Sequence, residues 1–138
     1  MSKKTKWLDR TLVVSSHHIA VCTTEAGFRK ALKHLNIPKK DRPEFVANWH
    51  SDATAHYFEN QGRRSKAVVV CLRNFEDKSL EQQIGLIAHE AVHIWQQTRN
   101  DYGETNPSPE FEAYSIQSLA QTLMSEFLRQ TKIPKKEQ

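Results

Sequence analysis

A single α+β domain, with three helices beside a small and mostly antiparallel sheet, is what this sequence predicts, and three observations carry the prediction. Short runs of β-branched and apolar residues lie between turn-forming stretches. Longer segments show helical spacing and open on residues suited to capping a helix. The elements follow as strand, helix, strands, helix, helix, an order that suits an α+β arrangement better than a regular strand-helix alternation. A chain of 138 residues has material for one compact core. Residues 1–138 therefore read as one domain, with basic tails over about 1–10 and 131–138.

The stretch TLVVSSHHIAVC, residues 11–22, is apolar on either side of a polar middle and predicts one strand or a bent pair. Thr23 or Thr24 can accept the free amides of a helix reaching about Leu35, with Phe28, Ala31, Leu32 and Leu35 as its apolar stripe and Pro38 as its stop. The turn-rich NQGRRS separates Ala53–Glu59 from Lys66–Asn74, which predicts a hairpin. Ser79 with Gln82 fits a capping box, opening a helix that runs to about Thr98. Ser108 followed by Pro109 starts the last helix, ending near Gln130.

Composition narrows the function classes. The sequence has no run of about 18 apolar residues and no apolar leader with a small-residue cleavage site, so a soluble cytoplasmic protein is expected. Cys22 and Cys71 sit inside the apolar runs IAVC and AVVVCL, which predicts buried, reduced thiols rather than a disulfide framework or a thiolate metal site. The net charge of +4 comes from the tails, and the body is close to neutral. The clusters KKDR at 39–42 and RRSK at 63–66 could meet as a basic patch, which keeps nucleic-acid binding as a minority reading.

The chemistry concentrates in IGLIAHEAVHIWQQ, residues 84–97. Residues four apart share a helix face, so His89 and His93 can aim their imidazoles at one point, where a tetrahedral Zn²⁺ could sit. Glu90 is turned by about 100° from His89 and can act as general base on a water held there. Ile84, Ala88, Ala91, Val92, Ile94 and Trp95 fall on the side away from the histidines, whereas Gln82, Gly85, Leu86 and Gln96 share the histidine side, which suggests a cleft over it. A catalytic zinc normally takes three protein ligands. Glu112 aligns with Ile116, Leu119, Leu123 and Phe127, and a carboxylate on an apolar stripe needs a partner or a metal. Glu110 lies nearer Tyr114, Gln117 and Gln121 and is the alternative ligand, or a group orienting a histidine ring.

HEAVH, followed after eighteen intervening residues by the glutamate of FEAYS, resembles the gluzincin clan of zinc metallopeptidases. The stretch HEAVHIWQQ…GETNPSPEFEAYSIQSLA is also similar to small HExxH proteins encoded by tailed bacteriophages and prophages. The resemblance implies a minimal zincin-like domain in which His89, His93 and Glu112 bind zinc and Glu90 is the catalytic carboxylate. It implies a protein or peptide substrate bound by strand addition to the hairpin, no membrane role, and host cytoplasm as the location for a phage-encoded chain. The HExxHxxGxxH spacing of metzincins is missing, because Gln96 and Arg99 are not ligands. Tyr102, Tyr114 and His56 are candidates by residue type alone for the group opposite the metal. His17 and His18, adjacent in an extended chain, should point to opposite faces. His34 and His50 read as surface or capping residues, and Trp49, Tyr57 and Phe58 as hairpin packing. The rival readings are a zinc-holding phage accessory protein without peptidase activity and a basic nucleic-acid-binding module.

Overall fold

A computed structural model describes residues 5–8, 16–47, 50–61 and 64–131. It is a small α+β domain whose elements are β1 (Trp7–Leu8), β2 (His18–Cys22), α1 (Glu25–His34), a 3-10 turn (Lys39–Asp41), β3 (Ala53–Gln61), β4 (Arg64–Leu72), α2 (Leu80–Asp101) and α3 (Pro109–Thr131). The strands form one sheet in the order β1-β2-β4-β3. Residues 11–15, half of the first predicted strand region, and Trp49 lie outside the described residues.

The expected hairpin forms, with Ala53 opposite Leu72 and Glu59 opposite Lys66. Of the three pairings, β1–β2 and β3–β4 are antiparallel. The central pairing is parallel and sets Ile19 beside Val68 and Val21 beside Val70. A parallel pair needs a long crossover, here supplied by α1 and the segment leading into β3. Burial explains the composition of β4. Val68, Val70 and Leu72 join β2, α2 and α3 in one core, while Ala67, Val69 and Cys71 join α1 in a second core on the opposite face. A strand covered on both faces reads as the continuous apolar run AVVVCL rather than as an alternation. Both cysteines are buried and free.

Local signals place the helix ends. Thr24 caps α1 by accepting from the Gly27 amide at 3.0 Å. Ahead of Pro38, Asn36 closes the helix in the left-handed region at φ 59, and the Ile37 amide returns to the Leu32 carbonyl at 3.0 Å. Helix α2 has the full Ser79–Gln82 capping box and runs three residues beyond the expected Thr98. Gly103, at φ 70, is its stop, with the Glu104 amide bonded to the Arg99 carbonyl. After the turn that follows, α3 packs against α2 in the same core.

The C-terminal half of α3 is tied to β2 by polar contacts. Glu126, only 3 % exposed, accepts from Arg129 at 2.7 and 2.9 Å and from Gln130 at 2.9 Å. Gln130 also donates to the Val21 carbonyl at 2.7 Å and accepts from Thr23 at 3.0 Å. Among the described residues no helix is long and apolar enough to cross a membrane.

Candidate functional site

Helix α2 turns Ile87, Ala91, Ile94 and Trp95 into the core and leaves His89 and His93 exposed beside β3. The two imidazoles converge: their Nε2 atoms are 3.0 Å apart and the rings meet edge to face at 4.6 Å. His93 Nδ1 lies 3.2 Å from Gln96 Oε1. In the Nδ1–H tautomer the ring donates to that amide oxygen and His93 Nε2 keeps its lone pair toward His89. Two imidazole ligands of a tetrahedral zinc, with Zn–N of about 2.0–2.1 Å, stand roughly 3.3 Å apart. The histidine pair therefore fits two positions of such a site after a small ring rotation.

Glu112 is placed differently. Its Oε2 accepts from Trp95 Nε1 at 2.9 Å and lies 3.7 Å from Arg99 Nη1. Trp95 is two residues beyond His93, about 200° round the helix. The carboxylate that needed a partner has one, on another face of α2 from the histidines. Glu110 and Glu104 are exposed, and among the described residues no three His, Cys, Asp or Glu side chains stand together as a metal-holding group. The structure brings together His89, His93 and Glu90, and it does not bring Glu112 or Glu110 to them.

Glu90 is 4 % exposed and accepts no hydrogen bond from the described residues. Burial pushes its carboxyl above the usual range, and the neighbouring His89 and His93 only partly offset this. A desolvated carboxylate with few donors is a stronger base than one in water.

The side of α2 that sequence reasoning left polar opens on a groove. One part, about 490 Å³, is lined by His50, Asp52, Lys78, Gln82, Gly85 and Leu86, and the other, about 440 Å³, by Tyr57, His93, Gln96, Gln97 and Asn100. Both parts share Ala53, His89 and Glu90, so they adjoin at His89, and His93 lines the second part alone. The opposite wall is β3, the last strand in the sheet order, which among the described residues has β4 as its neighbour on one side only. At Gly85 an added Cβ would meet nothing within 4 Å, so packing does not demand glycine there.

Carboxylates fasten both ends of the trough. Asp52, at the start of β3, meets Lys78 at 2.6 Å and accepts from Asn74 at 3.2 Å, and these bonds hold it below the usual carboxylate range. Asp101, at the end of α2, accepts from Ser16 at 2.7 Å and Gln97 at 3.1 Å and lies 3.5 Å from Lys66. Burial opposes its charge, but the Ser16 and Gln97 bonds with the Lys66 and His17 charges leave it below the usual range. His17, buried beside Asp101 at 3.7 Å, is itself pushed down by burial, which outweighs the carboxylate, so the contact is not an ion pair near neutral pH.

The remaining expectations divide. His56 is not solvent-facing: it points to the α1 side of the sheet, donates from Nε2 to the Phe45 carbonyl at 3.0 Å, and stacks near Phe28 and Phe58. Tyr102 and Tyr114 are exposed, at 61 % and 65 %, and neither lines the trough. Tyr57 and Phe58 pack against opposite cores instead of forming one cluster. His34 stacks near Trp7. His50 and Tyr57, read from sequence as bland, line the trough; their only signal was membership of the strand region nearest the HExxH helix. Arg42 and Lys66, one from each basic cluster, are engaged locally with the Ile37 carbonyl and Asp101. The chain matches no family model, no curated protein and no solved structure.

Proposed function

We propose that this protein is a zinc-dependent metallopeptidase that hydrolyses peptide bonds in extended segments of protein or peptide. The observation that carries the reading is the placement of Glu90, buried and without donors, beside two converging imidazoles in the middle of an open trough. Zinc held by His89 and His93 would supply a Lewis acid for the scissile carbonyl and lower the pKa of water at the site. Glu90 then takes a proton from the attacking water and delivers it to the departing amine nitrogen. The free side of β3 can align the substrate by backbone hydrogen bonds, as an added strand.

Glu112 is the proposed third ligand, with Glu110 as the alternative. Taking up that role requires Glu112 to leave Trp95 and Arg99. That requirement favours a second reading, a zinc-holding interaction protein without peptidase activity. Two variants separate the readings. Elemental analysis of purified wild type and Glu112→Ala is expected to find zinc in the first and a large loss in the second; zinc retained in Glu112→Ala moves the ligand to Glu110 or Glu104. Glu90→Gln should keep the metal and lose hydrolysis, and biological activity surviving in that variant would overturn the enzyme reading.

A further inference from the structure

The α1 side of the sheet, which faces away from the trough, carries the opposite charge. Among residues 25–44, which hold α1 and the 3-10 turn, six are lysine or arginine and three are acidic; among residues 75–131, which hold α2 and α3, the counts are three and nine. A polyanion is therefore drawn to the α1 side and repelled from the other. Lys30, Lys33, Lys39 and Lys40 are all exposed there. Arg29 is exposed as well, but it shares its charge with Glu25 at 3.8 Å. Lys30 and Lys33 stand one turn apart on α1, and past the left-handed stop at Asn36 the 3-10 turn adds Lys39 and Lys40. Beside Lys30 lies an aromatic recess. Trp7 of β1 and His34 of α1 have centroids 5.6 Å apart and planes tilted by 34°, and with Thr5, Lys30 and Ala31 they line a cavity of about 300 Å³. Both rings are partly exposed, and Lys30 belongs to the recess and to the lysine row at once.

We infer that this side of the protein binds single-stranded nucleic acid, with one base lodged against Trp7 and His34 and the neighbouring phosphates met by Lys30, Lys33, Lys39 and Lys40. Every base has a flat π face, so stacking on an aromatic ring holds a strand without demanding a sequence. In a duplex both faces of a base are covered by the adjacent pairs, so the recess selects unpaired strands. An anionic lipid surface would satisfy the lysines and offers no ring to stack. The site lies across the sheet from His89, Glu90 and His93, so the inference stands whether or not the trough is a peptidase.

The test is fluorescence anisotropy of a labelled oligothymidylate and a labelled oligouridylate titrated with the full chain over a range of salt concentrations. Both strands should bind, and log affinity should fall against log salt with a slope of about 3, the value for four phosphate contacts on a single strand. Reversing two exposed charges, Lys30→Glu with Lys33→Glu, should weaken binding at least about tenfold without altering the thermal midpoint, and a duplex of the same length should bind at least about tenfold more weakly than the strand. Trp7→Leu should weaken binding by about tenfold and leave the salt slope as it was, because the ring supplies stacking and no charge. Should Trp7→Leu fail to fold, the charge reversal and the duplex comparison decide. No binding at low salt, binding indifferent to the charge reversal, or equal affinity for duplex and strand each overturns the assignment. A folded Trp7→Leu that binds like wild type shows a counterion surface without a base site and overturns it too, as does binding to phosphatidylserine vesicles with none to either strand.

Discussion

Glu90 and Glu126 are almost equally buried, at 4 % and 3 % exposure, and have opposite surroundings. Glu126 is bonded by Arg129 and Gln130 and links α3 to the end of β2. Glu90 has no donor among the described residues and faces a trough. Burial of a charge therefore marks no site by itself. A buried carboxylate whose lone pairs are filled is architecture, and one whose lone pairs are unfilled and face a groove is available for chemistry.

The sharpest way to break this contrast is to neutralise each carboxylate. Glu90→Gln should lower hydrolysis by about 10²–10⁴, the usual worth of a general base, while the protein unfolds no more easily than wild type. Glu126→Ala should do the reverse. Its activity per folded molecule stays near wild type, but denaturant unfolding should show a loss of about 3 kcal/mol, the low end for breaking a buried pair because the Arg129 side chain is 33 % exposed. Equal losses of stability in the two variants would erase the distinction.

The histidines repeat the contrast more weakly. His17 and His56 are buried, and burial lowers both below the ordinary value of 6.5, whereas His89 and His93 are exposed. A histidine held neutral in the fold is protonated more readily once unfolded, so stability rises with pH across the interval between its folded and unfolded values. The contribution is complete above about 6.5 and is lost as pH falls from there toward the depressed folded values. Urea midpoints of the Glu90→Gln variant, in which the raised Glu90 carboxyl no longer titrates, should therefore drop between pH 7 and 5.5. A flat midpoint over that interval would show that the two rings are not desolvated.

Gly85 gives the smallest effect and refines the trough itself. Gly85→Ala should stabilise α2 by roughly 0.5–1 kcal/mol, since a methyl there meets no neighbour. The same methyl stands one turn before His89 and narrows the groove, so KM for extended peptides should rise while kcat changes little.

What could be read in advance follows the range of the forces involved. Helix ends were legible because Thr24, Ser79 and Ser108 act within three residues of themselves, and the His89–His93 convergence is helix geometry alone. The face of α2 lined by Gln82, Gly85, Leu86 and Gln96 was legible for the same reason. The parallel pairing of β2 with β4 was not, because nothing local in HIAVC states which strand it will join. The Glu112 partner was anticipated as a need but not as Trp95 and Arg99, since the rotation of α3 against α2 decides it. That Tyr57 lines the trough was not legible either, because the face of β3 that looks at α2 is settled by packing at a distance.

The two carboxylate fastenings have a mechanical consequence. Asp52 joins the strand wall to the turn before α2, and Asp101 joins the far end of α2 to β4 and the residues before β2. A helix secured at head and tail cannot slide lengthwise, so the positions of His89 and His93 along β3 are indexed as marks on a vernier are. The fastenings differ in kind: Asp52 is held chiefly by the Lys78 charge, both groups being about a quarter exposed, whereas Asp101, 12 % exposed, is held by the neutral donors Ser16 and Gln97 besides Lys66, itself 37 % exposed. Added salt screens the one at Asp52 first. The trough is thus a hinged jaw in electrostatic terms, loosening at the Gln82 end while the Asn100 end keeps its grip.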